Sequence, residues 1–228
     1  MGRIAAVVFD FDETIIDLEP QHTAASELLC RAQGSDYQSM PESFRLGSGR
    51  RVLDDIRDLK AHFGWSEPEE VLFARRQEHF DALCRSADLQ PMDSVPEAIG
   101  FLHAAGFPLA ISSSAVRSSI EAILTRLGLR DAFTLIVDGS DVVHGKPDPE
   151  AYLVAARQLG VAPEECLVFE DSHVGVVAAK RAGMECIAVR NPHANARQDL
   201  SAADLVVDSM REVDLTALAA RSARKRAG

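Results

Sequence analysis

Six short apolar segments, rich in Val, Ile and Leu, recur along the chain without polar alternation. A strand whose two faces are both covered has this pattern, which favours a parallel sheet between two layers of helices. Between most of the later segments, the apolar residues fall on one helical stripe. The alternation of helix and strand after residue 94 therefore predicts a doubly wound α/β sheet. The predicted strands are 4–11, 107–112, 135–137, 167–169, 186–189 and 205–207.

Four of the predicted helices end at a glycine, the residue that most readily adopts the left-handed conformation that closes a helix. The start of the third helix is predicted at Asp148 and Pro149, because an Asp cap followed by Pro at the first helical position suits a helix N-terminus. The closing glycines are Gly106, Gly128, Gly160 and Gly183.

The stretch from about 17 to 90 breaks the alternation of helix and strand. It contains helical patterns at roughly 19–33, 50–63 and 67–86 and no good strand. We therefore predict two domains. Residues 17–90 form a helical insert after the first strand, and residues 1–16 and 91–228 form the α/β core.

Composition narrows the class of protein. The formal net charge of −11 argues against a nucleic-acid partner, although a bound divalent cation would still allow a small phosphate substrate. No segment approaches the roughly 20 apolar residues of a membrane helix, and the first apolar run is too short for a signal peptide. The four cysteines lack metal-ligand spacing, which favours reduced structural thiols. We expect a cytoplasmic protein, a monomer or a weak dimer.

Two carboxylates stand at the end of the first predicted strand. Ligands of parallel α/β sheets bind at the carboxyl ends of strands, and Asp10 and Asp12 lie there. Side chains alternate along a strand, so these two point the same way and repel each other unless a cation or a shared proton intervenes. A strand-ending turn, in which Asp accepts hydrogen bonds from the backbone, is the simpler alternative.

Three other loops bring polar groups towards the same rim. The second strand ends in the serine run 112–114, the segment "VHGKPDPE" offers Lys146 before a helix, and the fourth strand delivers Glu170 and Asp171. Lysine is scarce in the chain, which makes Lys146 a stronger candidate than a surface charge. Glu170 and Asp171 are also explained as acids at a helix N-terminus, and both roles can coexist.

Together these segments resemble the haloacid dehalogenase superfamily of phosphatases and phosphomutases. "DFDET", a Ser after an apolar strand, "GKPDPEAY" and "VFEDSHVGVVAAKRAG" match its four motifs in order and spacing, over residues 4–210. The similarity is greatest to the β-phosphoglucomutase-like branch. It implies a Rossmann-like core, with the helical insert as a cap domain.

The resemblance implies specific catalytic roles. Asp10 would be the nucleophile that forms an aspartyl-phosphate, and Asp12 the acid and then the base. Lys146 and Ser113 would stabilise charge on the phosphoryl oxygens. Ser113 is preferred by counting back from the helix that follows, but the run 112–114 leaves the choice open by one residue.

The resemblance also implies a Mg²⁺ site. The ion would be held by the Asp10 carboxylate, the backbone carbonyl of Asp12 and Asp171. Glu170 would either ligate the ion or hold a metal-bound water. Such an oxygen-rich set suits a hard cation.

Three further residues are candidates for substrate contact. Thr14 could donate to Asp10 or to the phosphate, or it could cap local backbone. His22 matches a position where the same branch often has His, although a helical His is more often structural. Arg50 follows "GSG" at a predicted helix start, where small residues and a helix N-terminus favour anions.

The match departs from the family at Glu13, where Gly is usual. Its side chain could narrow the entrance, touch the substrate or point to solvent. Arg51 is expected on a solvated face, as are the charged residues of the third insert helix, Arg75, Arg76 and His79.

The sequence thus predicts a Mg²⁺-dependent phosphatase acting on a small phosphorylated metabolite such as a sugar phosphate. A phosphomutase has the same core and is the main alternative. A dehalogenase is disfavoured because it does not need Asp12, and a phosphonate-cleaving enzyme needs an insert lysine, for which only Lys60 is present. A non-catalytic binding module is also disfavoured, because every catalytic group of the motifs is present.

Overall fold

A computed structural model of the protein describes residues 2–45, 49–191 and 198–222. Within them, six parallel strands form one sheet with the order β3-β2-β1-β4-β5-β6. In chain order, β2 and β3 are added on one side of β1, and β4, β5 and β6 are then added on the other side. The switch in direction therefore lies between β1 and β4, where α/β sheets bind ligands. The strands are β1 (Ala6–Phe9), β2 (Leu109–Ser112), β3 (Leu135–Val137), β4 (Cys166–Glu170), β5 (Glu185–Val189) and β6 (Leu205–Val207).

The helices fall into two groups. Of the helices in the described residues, four lie in the helical insert between β1 and β2, and the others cover the sheet. The insert contains α1 (Glu19–Ala32), α2 (Glu42–Arg45), α3 (Val52–Phe63) and α4 (Glu69–Ser86). The core contains α5 (Val95–Ala104), α6 (Arg117–Arg126), α7 (Glu150–Leu159), α8 (His173–Arg181) and α9 (Leu215–Ser222).

The core is packed on both faces of the sheet, as the apolar strand segments predict. In β1, Val7 and Phe9 face the layer formed by α5, α6 and α9, whereas Ala6 and Val8 face α7 and α8. Phe9 stacks on Phe169 of the neighbouring strand, with 5.0 Å between ring centroids. In the described ranges, we find no helix with the length and apolarity needed to cross a membrane.

All six predicted strands are present, with small shifts at their ends. β1 begins two residues later than predicted, and it ends two residues earlier because the backbone turns after Phe11, with Ile15 N donating to Phe11 O. The four closing glycines all have positive φ, between 68° and 83°. α7 begins one residue later than predicted, and Asp148 Oδ1 accepts from the Glu150 backbone N.

The helical insert has a small apolar core of its own. Leu29, Ile56, Leu59 and Trp65 are buried together in it, and Trp65 Nε1 donates to the hydroxyl of Ser35. The short helix α2 was not predicted from the sequence. Residues 46–48, part of the predicted glycine loop before Arg50, lie outside the described residues.

The two connections between insert and core run side by side. Ile16 forms a β-bridge with Pro91, and the backbone N of Met92 donates to the carbonyl of Ile15. The chain thus leaves the core and returns to it at adjacent points.

Candidate active site

Five of the predicted catalytic and metal-binding residues meet at the carboxyl rim of the sheet. Asp10 follows β1, Ser113 follows β2, Glu170 ends β4 and Asp171 follows it. Lys146 reaches the same place from the loop between β3 and α7. All five are buried. The topology explains the meeting, because parallel strands bring their ends to one edge.

Lys146 joins the first and fourth strands. Its Nζ donates to Asp10 Oδ1 at 2.5 Å and to Glu170 Oε1 at 2.6 Å, and it also donates to the carbonyl of Ser112. Burial alone would lower the pKa of Lys146, but attraction to Asp10 and Glu170 outweighs burial and raises it. The ammonium therefore remains charged where a phosphoryl group would approach Asp10.

Glu170 has hydrogen bonds on both carboxylate oxygens. Oε1 accepts from Lys146 and from the hydroxyl of Tyr152, and Oε2 accepts from the backbone N of Asp171 and of Ser172 and from the Ser172 hydroxyl. Burial would raise the pKa of Glu170, but Lys146 and these donors hold it below its usual value. Gly175 packs against the carboxyl group, where any β-carbon would collide. Glu170 is thus ionised and fixed in place.

Three carboxylates lie close enough to hold one cation. Asp10, Glu170 and Asp171 each offer an oxygen, all within 4.8 Å of one another. Asp171 Oδ1 accepts from the Thr14 hydroxyl at 3.1 Å, while its buried Oδ2 has no hydrogen-bond partner among the described residues. Burial, with repulsion between the acids, raises the pKa of Asp10 and of Asp171 well above the usual range. An unpartnered buried oxygen beside two other carboxylates fits a divalent metal ion.

The hydrogen bond of Thr14 differs from one of those predicted from the sequence. Its hydroxyl donates to Asp171 and not to Asp10. This contact orients Asp171, which is a candidate metal ligand.

Asp12 is contacted by two of the predicted residues. The Ser113 hydroxyl donates to Asp12 Oδ2, and His22 Nε2 lies by Asp12 Oδ1, both at 3.3 Å. Arg76 Nη2 donates to His22 Nδ1 at 3.0 Å, and since Arg is only a donor, that ring nitrogen is the acceptor. His22 Nε2 then carries the hydrogen and donates to Asp12. The imidazole thus orients Asp12, and it also lines the adjoining cavity.

Arg76 was expected on a solvent face, and this was wrong. Its side chain is 2% exposed, and its Nη1 has no hydrogen-bond partner in the described part of the chain. Its spacing on α4 is informative, because Leu72, Arg76, Phe80 and Cys84 form the buried stripe at every fourth position. The helical period predicts that Arg76 is buried, whereas the charge pattern alone predicts that it is exposed to solvent.

The two arginines that precede α3, Arg50 and Arg51, make different contacts. Arg50 lines the cavity, as expected for a substrate contact, and pairs with Asp55 and Asp58 of α3. Arg51 was expected to be solvated but is only 16% exposed, and its Nη1 donates to the carbonyl of Val143 at 2.8 Å. Arg51 therefore connects the helical insert to the loop that carries Lys146.

Glu13 adopts the backbone conformation that explains the usual glycine. Its φ is 59°, in the left-handed region. Its side chain points inward, is buried, and lines the cavity together with Asp12, His22 and Arg76. Burial and nearby acids, chiefly Asp12 and Asp171, raise its pKa well above the usual value. The expectation of a solvent-facing Glu13 is thus excluded.

A cavity separates the rim of the sheet from the helical insert. Asp10, Asp12 and Ser114 line it from the core. The insert contributes mainly polar and aromatic residues, from all four of its helices and from the segments that connect them. These are Glu19, His22, Thr23, Ser26, Tyr37, Phe44, Arg45, Gly49, Arg50, Val52, Asp55 and Arg76. A small polar molecule in this cavity would contact Asp10 and the insert together.

The family model for haloacid dehalogenase-like hydrolases matches residues 4–183. The chain is 32% identical to fructose-1-phosphate phosphatase YqaB of Escherichia coli K12 over 82% of this chain and 97% of that protein. It is also 32% identical to hexitol phosphatase A of the same organism, over 94% of this chain and 95% of that protein. The structure of Rhodobacter sphaeroides CbbY in complex with phosphate superposes with a TM-score of 0.83 at 27% identity, over 92% and 96% of the two chains. The chain therefore belongs to the haloacid dehalogenase-like hydrolases, among those that hydrolyse phosphoric monoesters.

Proposed function

We propose that this chain is a Mg²⁺-dependent phosphatase that hydrolyses a small organic phosphate, such as a sugar phosphate, through an aspartyl-phosphate on Asp10. The observation that carries the proposal is the buried contact of Asp10 with Lys146, beside a cluster of acids that suits a cation. Relatives named for fructose 1-phosphate and hexitol phosphates support this substrate class.

The proposed metal site consists of Asp10, Asp171 and the backbone carbonyl of Asp12. Glu170 already has hydrogen bonds on both oxygens, which favours an outer role in which it holds Lys146 and the turn at Asp171. When bound, Mg²⁺ would neutralise charge on the phosphoryl oxygens and between the carboxylates.

In the first step, a carboxylate oxygen of Asp10 attacks phosphorus as the ester P–O bond breaks. Asp12 donates a proton to the leaving alcohol oxygen. Lys146 and the Ser113 hydroxyl are near enough to Asp10 and Asp12 to stabilise the transferring phosphoryl group.

In the second step, Asp12 takes a proton from a water molecule as the water oxygen attacks phosphorus. The P–O bond to Asp10 breaks, inorganic phosphate forms and the Asp10 carboxylate is restored. We assign His22 the positioning of Asp12 for both steps, because its Nε2 lies against the Asp12 carboxylate.

We further propose that the helical insert, residues 17–90, acts as a cap over the rim and excludes water. Its cavity-lining cation Arg76, with Nη1 unpaired in the described ranges, supports a contact with the distal part of the substrate. Arg50 and Thr14 remain proposed substrate contacts.

The test compares the wild type with Asp10→Asn on p-nitrophenyl phosphate, fructose 1-phosphate and a hexitol phosphate, with inorganic phosphate as the readout. We expect Mg²⁺-dependent release by the wild type and a loss of at least about 10³-fold in Asp10→Asn. Asp88→Asn, the same change at an exposed aspartate, is the control and should stay within about twofold. Equal rates for the wild type and Asp10→Asn would exclude the proposed nucleophile.

A phosphomutase would behave differently with the same protein. Incubation with β-glucose 1-phosphate would then give a hexose 6-phosphate without equivalent release of inorganic phosphate. The phosphatase proposal predicts net release.

A further inference from the structure

Glu13 carries an unfavourable backbone conformation. Among the residues the structure describes, only Glu13 and Ser94 combine a side chain with positive φ, at 59° and 63°. A β-carbon in the left-handed region is strained, and glycine would relieve that strain.

The side chain of Glu13 is unfavourably placed as well. It is 5% exposed, and its buried Oε1 has no hydrogen-bond partner in residues 2–45, 49–191 and 198–222. The neighbouring groups Asp12, Asp171 and Glu19 are acids, so they add repulsion. Burial of a carboxyl group without a hydrogen-bond partner destabilises the folded state. Glu13 therefore destabilises the fold through its side chain as well as through its backbone conformation.

Both costs would vanish with glycine, which indicates that the side chain is kept for function. Glu13 directly follows Asp12 and lines the cavity between the core and the helical insert. Its free oxygen is therefore available to a molecule whose phosphoryl group lies at Asp10.

On the basis of the proposed function, we propose that Glu13 is a specificity-determining residue that hydrogen-bonds a hydroxyl group of the substrate near its phosphate ester bond. A hydroxyl can donate to a carboxylate or accept from a carboxylic acid, so it suits Glu13 in either form. A second phosphate at this point would meet the acids around it, and an alkyl group would leave the carboxyl group unpaired. Polyol and sugar phosphates carry the required hydroxyls.

The experiment uses two substrates of equal chain length, glucitol 6-phosphate and hexyl phosphate, which differ in their hydroxyl groups. The measured quantity is the ratio of their kcat/KM values. We expect the wild type to prefer glucitol 6-phosphate, and Glu13→Gly and Glu13→Met to lower the ratio by about 10-fold or more while hexyl phosphate hydrolysis stays within about threefold. Glu13→Gln retains a hydrogen-bonding amide and should keep most of the preference.

Ser94→Gly is the matched control, because it relieves positive φ at a residue that does not line the cavity. Only Glu13→Gly should change the ratio, and its Tm should rise because it relieves positive φ without removing a side-chain hydrogen bond of the described residues. Mg²⁺ affinity, measured by calorimetry, should be unchanged in Glu13→Met.

Three outcomes would overturn the inference. The first is an equal loss on both substrates with weaker Mg²⁺ binding, which would make Glu13 a metal-site residue. The second is a retained preference in Glu13→Met, which would mean that only side-chain bulk matters, and the third is no change in any variant. A wild type that hydrolyses no phosphate ester would instead contradict the proposed function.

Discussion

At the scale of single residues, Lys146 compensates two buried carboxylates, Asp10 and Glu170. We expect Lys146→Met to lower the free energy of unfolding without metal by about 3 kcal/mol, because it leaves buried charge unpaired. Urea denaturation in EDTA measures this. Lys180→Met is the control, since the Lys180–Asp204 pair is partly exposed and should contribute less than about 1 kcal/mol. Equal losses in both variants would show that Lys146 has no special role in stability.

At the scale of elements, Arg51 fixes the start of α3 to the loop before Lys146 through the carbonyl of Val143. We expect Arg51→Met to lower kcat/KM for p-nitrophenyl phosphate by about 10-fold and to speed amide hydrogen exchange in residues 139–146. Arg57→Met is the matched control on the same helix, because Arg57 pairs with Asp54 and Glu69 inside the helical insert. A similar effect of Arg57→Met would assign the loss to α3 itself.

The elements also show what the sequence could predict. Apolar runs and helix-closing glycines predicted the six strands of the described sheet, and the ends of these strands predicted the positions of Asp10, Asp12 and Glu170. These predictions succeeded because both signals are local in the sequence. The helical period of α4, but not its charge pattern, could have predicted the burial of Arg76. The burial of Glu13 depends on the elements that pack around its turn, which no local pattern gives. The contact between Arg51 and Val143 joins residues far apart in the chain, so no local pattern encodes it.

At the scale of the whole molecule, stability should depend on both pH and metal. The raised pKa of Asp10 and of Asp171 means that the folded chain keeps protons that the unfolded chain releases above the ordinary value of 3.8. This stabilising contribution is complete below that value and is lost as pH rises through the raised pKa values. Without metal, the free energy of unfolding should therefore fall as the pH rises above 3.8 and through the raised pKa values of Asp10 and Asp171.

The stabilisation of the fold by Mg²⁺ should instead increase with pH, because the ligands of Mg²⁺ must be deprotonated and its affinity therefore grows with pH. Urea denaturation over this range, with EDTA or with saturating Mg²⁺, checks both trends. Glu170, whose pKa is lowered, has the opposite effect, and only at pH values below its ordinary value of 4.5. Asp171→Asn should flatten the pH slope and abolish the Mg²⁺ effect, and a full Mg²⁺ effect in that variant would contradict the assignment of Asp171.

The bridge between Ile16 and Pro91 has an evolutionary consequence. The two connecting segments are joined at this point, so the helical insert can grow or shrink while the gap that it spans stays the same. Descendants of such a chain could acquire a new substrate preference by altering the residues between Ile16 and Pro91, provided that a group equivalent to His22 still positions Asp12.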